Sequence, residues 1–214
     1  MSATATTTAF PYRFLAFEGV EGSGKSTQVR LLADRLRALG LDVVTTFEPG
    51  ATAVGRILRE VVLGSHESMT PLTELFVFCA DRAEHVAEVL RPALDAGSVV
   101  LTDRYELSTW AYQGVAGEIG PYLVDRMNEI ATGGLHPDMT IVLDLDPAAG
   151  LARNRRDDDP DRMESKALAF HKRVRDAYLT WASGNPATSI VVDASQPADA
   201  VHAAILAALG IPPE

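Results

Sequence analysis

The chain has 214 residues, 47% apolar and 22% charged, an ordinary globular composition at a length that one core can serve. A net charge of −10 argues against a nucleic-acid binder, which needs a basic footprint, but leaves a small phosphate ligand open, since a few local cations and amides suffice to hold one. A single cysteine, Cys79, excludes an internal disulfide and gives no zinc cluster. The opening residues have neither a basic start nor an apolar run, and no stretch is long enough to span a bilayer, so the chain reads as cytoplasmic, with no membrane partner.

Residues 1–11 read as a frayed tail and 12–214 as one domain. Phe14 to Glu18 is a short apolar run ending at Gly19, which suits a buried strand. From Lys25, Val29, Leu32, Ala33 and Leu36 recur at helical spacing, and Gly40 is a natural stop. Val43 to Phe47 is β-branched and bounded by Glu48-Pro49-Gly50, a second strand. Thr70-Pro71 starts a long helix expected to run to Asp95, bent at Pro92. Val99 to Thr102 is a third strand ending at Asp103, and Pro121 opens a short helix. Met139 to Leu143 is a fourth strand, followed by a helix from Pro147 to Arg156 and another from about Ser165 to Trp181. Ser189 to Val192 is a fifth strand, and Pro197 to Leu209 a last helix. Strands alternating with helices, the strands continuously apolar, predict a three-layer α/β fold: a five-stranded parallel sheet covered on both faces.

The strongest local signal is Gly19-Val20-Glu21-Gly22-Ser23-Gly24-Lys25-Ser26, with Thr27 following, which fits the G-x-x-x-x-G-K-[ST] phosphate loop between a strand and a helix. Glycines let the backbone turn so that its N–H groups face phosphate oxygens, and the helix N-terminus adds positive partial charge. Lys25 is placed to reach the β- and γ-phosphates of ATP, and Ser26 to ligate Mg²⁺. This P-loop defines the phosphate donor only; GTPases, kinases and other ATPases share it.

The acceptor must be read from three later segments: Phe47-Glu48-Pro49-Gly50, then Glu74 to His85 with Phe78-Cys79-Ala80-Asp81-Arg82 inside it, then Asp103-Arg104-Tyr105-Glu106-Leu107-Ser108-Thr109-Trp110-Ala111-Tyr112-Gln113. In this order and spacing the chain resembles the thymidylate kinase family over roughly residues 13–209, with His136-Pro137-Asp138 and Asp161-Arg162-Met163-Glu164 as further points of likeness. The resemblance implies a P-loop nucleoside monophosphate kinase that phosphorylates dTMP to dTDP with ATP and Mg²⁺, and that forms a homodimer.

It also implies residue roles. Arg104 holds the dTMP phosphate, for which a guanidinium just past a strand end is chemically apt. Asp103 sits where a Walker-B-type carboxylate would, near the metal and the phosphates; a helix-capping aspartate is its alternative. Phe78 stacks on thymine and Arg82, four residues on and so on the same helical face, hydrogen-bonds its exocyclic oxygen. Read without the resemblance, Phe78 is a core residue and Arg82 pairs with Asp81 or Glu74. Pro49 is expected near the thymine methyl, Glu48 near the sugar or the metal's water shell, Thr109 at the base edge and Tyr112 at the sugar's 2′ position; Ser108 and Gln113 belong to the same substrate-binding segment.

Because Gly22 stands where some relatives carry a loop arginine, the resemblance points to the bacterial type, in which a lid at about 153–164 supplies the catalytic cation. Arg153 and Arg155 fit the spacing, while Arg156 and Asp157-Asp158-Asp159 depart from the usual basic pattern. Asp144 and Asp146 offer a rival metal site, but are expected to cap or to support the lid. The rival readings are a kinase for another nucleoside monophosphate or a deoxynucleoside, and a non-catalytic nucleotide-binding switch.

Overall fold

The computed structural model describes residues 10–64, 69–154, 163 and 166–213. Most of the expected tail therefore lies outside the described residues, as does most of the expected lid. Five strands form one sheet: β1 (Phe14–Glu18), β2 (Val43–Phe47), β3 (Val99–Asp103), β4 (Met139–Asp144) and β5 (Ser189–Asp193). All pairings are parallel, in the order β2-β3-β1-β4-β5, as the alternating elements predict.

Every residue of β1 is buried, as a central strand covered on both faces requires. Successive side chains leave on opposite faces. Leu15 and Phe17 pack with Leu32, Leu36, Ile141 and Val174 in the larger core, while Phe14 and Ala16 pack with Leu90, Val100 and Tyr105 on the other side.

The helices are α1 (Lys25–Ala38), α2 (Ala53–Leu63), α3 (Pro71–His85), α4 (Arg91–Asp95), α5 (Glu106–Thr109), α6 (Pro121–Thr132), α7 (Pro147–Asn154), α8 (Leu168–Gly184) and α9 (Ala198–Ala208). Thr70 caps α3 by accepting from Thr73 N at 3.3 Å. The expected long helix to Asp95 is present with a wider, π-type turn over Val86–Leu90, just before Pro92, whose ring and missing N–H disturb the helical ladder there.

Two elements are additions to the sequence reading. The first, α2, is capped by Thr52, which accepts from Gly55 N at 2.9 Å. Gly55 lowers helix propensity, but a Cβ there would lie 2.5 Å from Asp81 Oδ1, so close packing on α3 demands it. The second is α5 with its π-type continuation Trp110–Ala116, which carries Thr109, Tyr112 and Gln113.

Because β1 lies between β3 and β4, and β3 beside β2, the carboxyl ends of β1, β3 and β2 stand side by side. The loops leaving those three ends are the phosphate loop, Asp103-Arg104 and Glu48-Pro49-Gly50. Ligands of open α/β sheets bind at that edge.

Candidate active site

The phosphate loop turns from β1 into α1 through left-handed residues. Gly22 has φ 68° and lies so close to α7 that a Cβ would stand 2.2 Å from the Gly150 carbonyl oxygen; Gly24, at φ 90°, begins α1. Lys25 is buried and its Nζ donates to the carbonyls of Gly19 (3.1 Å) and Val20 (3.0 Å). Burial, followed by the Arg104 charge, lowers its pKa, against the opposing pull of Glu21 and Asp103. Ser26 Oγ donates to Asp103 Oδ2 at 2.6 Å, joining the loop to the end of β3. Two oxygen donors so close together at an exposed edge suit Mg²⁺, which takes one or two protein oxygens and completes its shell with phosphate and water. Among the described residues no group of three His, Cys, Asp or Glu forms a metal cage.

Arg104 follows Asp103 with a left-handed backbone, φ 72°. Its Nη2 is bound by Glu21 of the phosphate loop, and its Nη1 donates to Ser108 Oγ (3.1 Å), Gly19 O (3.3 Å) and Tyr178 OH (3.4 Å). The Tyr112 ring lies under the guanidinium, 5.2 Å from its carbon. Burial alone would raise the pKa of Glu21, yet Arg104 and Lys25 together hold it below the ordinary carboxylate value.

Two pockets meet at this arginine. One, of about 740 Å³, runs along Gly22, Gly24 to Thr27, Asp103 and Arg153. The other, of about 100 Å³, is lined by Pro49, Phe78, Arg82, Ser108, Thr109, Tyr112 and Gln113. Glu21, Glu48, Arg59 and Arg104 line both. The sequence-derived acceptor residues thus surround one cavity, and Glu21, Gly22 and Gly24 to Thr27 of the loop line its neighbour, while Gly19, Val20 and Ser23 do not.

Arg82 is 2% exposed, and its partner is Glu48, not Asp81 or Glu74. Nε and Nη2 donate to Glu48 Oε2 at 2.9 and 2.7 Å, Nη2 also to Tyr105 O (2.9 Å), and Nη1 to Thr109 Oγ1 (2.8 Å) and Asn128 Oδ1 (2.7 Å). These contacts engage all five N–H groups of the guanidinium. Glu48 Oε1 lies 2.8 Å from His85 Nδ1, and His85 Nε2 lies 2.7 Å from Thr46 Oγ1. Burial would raise the Glu48 pKa, and Arg82 with His85 brings it below the usual value instead. Gln113 is likewise buried, donating to Glu74 at 2.6 Å.

Of the expected lid cations, Arg155 lies outside the described residues. Arg153 is exposed at the end of α7 and donates to Ala194 O (3.1 Å), spanning from the phosphate loop to the turn after β5. Asp146 caps α7, accepting from Ala148 N at 2.9 Å, as expected, whereas Asp144 neither caps a helix nor touches the described end of α7 but is paired with Arg175 of α8.

Arg59 and Asn128 are further site residues that the sequence reading passed over, and Glu18 lies buried behind them without lining either cavity. Arg59 sits on the unforeseen α2, and Asn128 reaches Arg82 across 46 positions of chain. Glu18 is the acidic end of an otherwise apolar strand, a signal that was visible but unread.

A glycine loop whose neighbouring pocket is headed by a half-buried guanidinium, at one edge of a parallel sheet, defines a P-loop phosphotransferase of the nucleoside monophosphate kinase class. Comparison with known proteins narrows this. The thymidylate kinase family model matches residues 17–205. A thymidylate kinase of Nitratidesulfovibrio vulgaris (strain DP4) is 49% identical over 209 residues, covering 92% of this chain and 93% of its own length. One from Deinococcus radiodurans is 46% identical over 196 residues, with coverage of 92% and 95%. The crystal structure of thymidylate kinase from Ehrlichia chaffeensis superposes with a TM-score of 0.77 at 30% identity, covering 92% of this chain and 97% of that one. The chain belongs to the thymidylate kinase family.

Proposed function

We propose that the chain transfers the γ-phosphoryl group of ATP to dTMP, giving dTDP and ADP, with the donor on the phosphate loop and the acceptor in the pocket beneath Phe78. One observation carries this reading: Arg104 lines both cavities, so a monophosphate held by it faces the loop directly.

The loop amides and Lys25 hold the donor phosphates. Ser26 and Asp103 would hold Mg²⁺, which when bound neutralises charge on the β- and γ-phosphate oxygens. Arg104 releases Glu21 to take the acceptor phosphate, whose oxygen then bonds to the γ-phosphorus as the bond from that phosphorus to the β–γ bridging oxygen breaks. The acceptor is already ionised near neutral pH, so positioning and charge stabilisation suffice without a strong base. Arg153, and Arg155 two residues on in sequence, supply cations at the donor end. Phe78 stacks on the thymine, with Thr109 and Arg82 at its polar edge and Pro49 against its methyl group. For Arg82 to bond the base it must share or exchange one of its present partners, and Thr109 is the nearest candidate. Tyr112 crowds the sugar's 2′ side.

We further propose one kinase domain over 12–214 with a lid at about 153–164, working in the cytoplasm, where ATP and free nucleotides are held. No helix among the described residues is long and apolar enough to cross a membrane. A homodimer is supported by the exposed apolar side chains Ile57 and Val61 on α2, Phe76 on α3, and Tyr122 and Ile130 on α6, since α2 and α6 both pack on α3. Sedimentation of the native protein against Ile57→Glu tests it.

The activity is tested by ADP release coupled to NADH oxidation, with dTMP, dUMP, dCMP and thymidine as acceptors and Lys25→Ala as control. Turnover highest with dTMP is expected. Equal rates with dCMP would replace the acceptor assignment, and absence of dTMP-stimulated ADP release would favour a binding switch.

A further inference from the structure

Glu18, the last residue of β1, is fully buried and lies outside every role assigned above. Its carboxylate accepts four hydrogen bonds. Oε1 takes the backbone N–H groups of Tyr105 (2.9 Å) and Ser108 (3.1 Å), and Oε2 takes the hydroxyls of Ser108 (2.6 Å) and Tyr178 (3.0 Å). Three of these four donors are linked to Arg104, in one of two ways. Tyr105 N–H belongs to the peptide that follows the left-handed Arg104, a backbone state that a non-glycine residue holds only when its surroundings over-determine it. The Ser108 and Tyr178 hydroxyls are the oxygens that receive Arg104 Nη1.

A hydroxyl carries one proton. The two hydroxyl oxygens also lie 3.0 Å from each other; with both protons directed at the Glu18 carboxylate, only lone pairs remain to face one another and the guanidinium. We propose that Glu18 is a positioning residue for the acceptor phosphate: it pins the turn at Arg104 and obliges Ser108 and Tyr178 to accept from that side chain. Glu21 engages Nη2 from the opposite side, so the guanidinium is bracketed between a carboxylate that a substrate phosphate displaces and a polarised pair that stays. This inference rests on the reading of Arg104 as the ligand of the acceptor phosphate.

Glu18→Gln is the discriminating variant because it keeps the shape and removes the charge. If its amide oxygen serves the two backbone N–H groups, its NH₂ donates to the hydroxyls; one of these can then donate to the other, 3.0 Å away, and the remaining proton is turned towards Arg104. The reverse orientation sets NH₂ against two N–H donors. A merely structural glutamate, which accepts four hydrogen bonds, would show the loss of its charge in thermal stability while KM for dTMP stayed unchanged.

The expected result is a rise in KM for dTMP of about 10- to 100-fold, the range for a lost bond to a charged group, with a lowered kcat and KM for ATP within about twofold of wild type. Tyr178→Phe should shift the same parameter by a smaller factor, and Ser108→Ala combined with Glu18→Gln should give less than the product of the single effects. Arg104→Ala separates the two readings. If Arg104→Ala raises KM for dTMP while Glu18→Gln does not, the role of Glu18 is refuted and the acceptor reading stands. If Arg104→Ala leaves KM for dTMP unchanged, the acceptor reading fails first. Should Glu18→Gln not fold, Tyr178→Phe and Ser108→Ala carry the test alone, and an unchanged KM for dTMP in both overturns the proposal.

Discussion

Arg82 donates twice to a single oxygen of Glu48, at 2.9 and 2.7 Å, joining α3 to the turn that leaves β2. The two side chains are 2% and 4% exposed, so neither charge has water to fall back on. Removing one partner of such a pair leaves the other stranded, at a cost of about 3–5 kcal/mol. Glu48→Gln should therefore lower stability by that amount in urea unfolding. Adding Arg82→Met should restore part of the loss, because no lone charge then remains. A double variant weaker than Glu48→Gln alone would contradict this account.

Phe78 is half-buried on the wall of the smaller pocket, within the segment that also bears Arg82. Stacking of a base on an aromatic ring contributes about 1–3 kcal/mol. Phe78→Ala is expected to raise KM for dTMP about 5- to 100-fold while KM for ATP holds steady. Steady-state kinetics with each substrate varied in turn would show it, and a matching change in both constants would point to general loosening of α3 instead.

Lys25 rests on two loop carbonyls, and its burial disfavours its charge. The residue is therefore held for the donor phosphates at the expense of the free protein. Lys25→Ala should cut kcat by about 10²- to 10³-fold, the scale of a lost preorganised donor, without lowering the melting temperature. A large fall in melting temperature would show that the lysine is a structural element.

Asp81 accepts from Gly50 N at 2.9 Å, and its pKa is pushed up to about 6, first by burial and then by the Glu48 charge. The folded protein thus holds this proton more tightly than the unfolded chain, whose value is near 3.8. For a carboxyl raised in this way, stability falls as pH climbs from about 4 to about 6 and does not return above that window. Asp81→Asn keeps an acceptor for Gly50 and abolishes the titration. It should be more stable than wild type by about 1–3 kcal/mol near pH 7.5, with the difference shrinking towards zero near pH 4. A difference independent of pH would rule the mechanism out.

The five strands, the capped start of α3 and the phosphate loop were legible because each rests on local chemistry: buried apolar runs, Thr70 before Pro71, and glycines at a strand–helix turn. Helix α2 was not, since Gly55 weakens its helical signal for the sake of a contact with Asp81 that only the folded packing creates. The partner of Arg82 was misjudged for a related reason. Asp81 and Glu74 are near it along the helix, but Glu48 arrives from another strand.

The amino-acid order alone determined which chemical groups this protein carries and in what sequence of elements. A phosphate loop, a later arginine and a parallel α/β succession follow from turn geometry and hydrophobic period, which act over a few residues. Tertiary structure decided how those groups are coupled. Bringing β3 beside β1 sets Arg104 against Glu21 and the Glu18-bound hydroxyls, and bringing β2 beside β3 delivers Glu48 to Arg82 and His85. Such pairings join residues 30 to 160 positions apart, for example Glu18 and Tyr178. Their proton directions and charges depend on exclusion from water, a property of the assembled core that no local stretch of chain encodes.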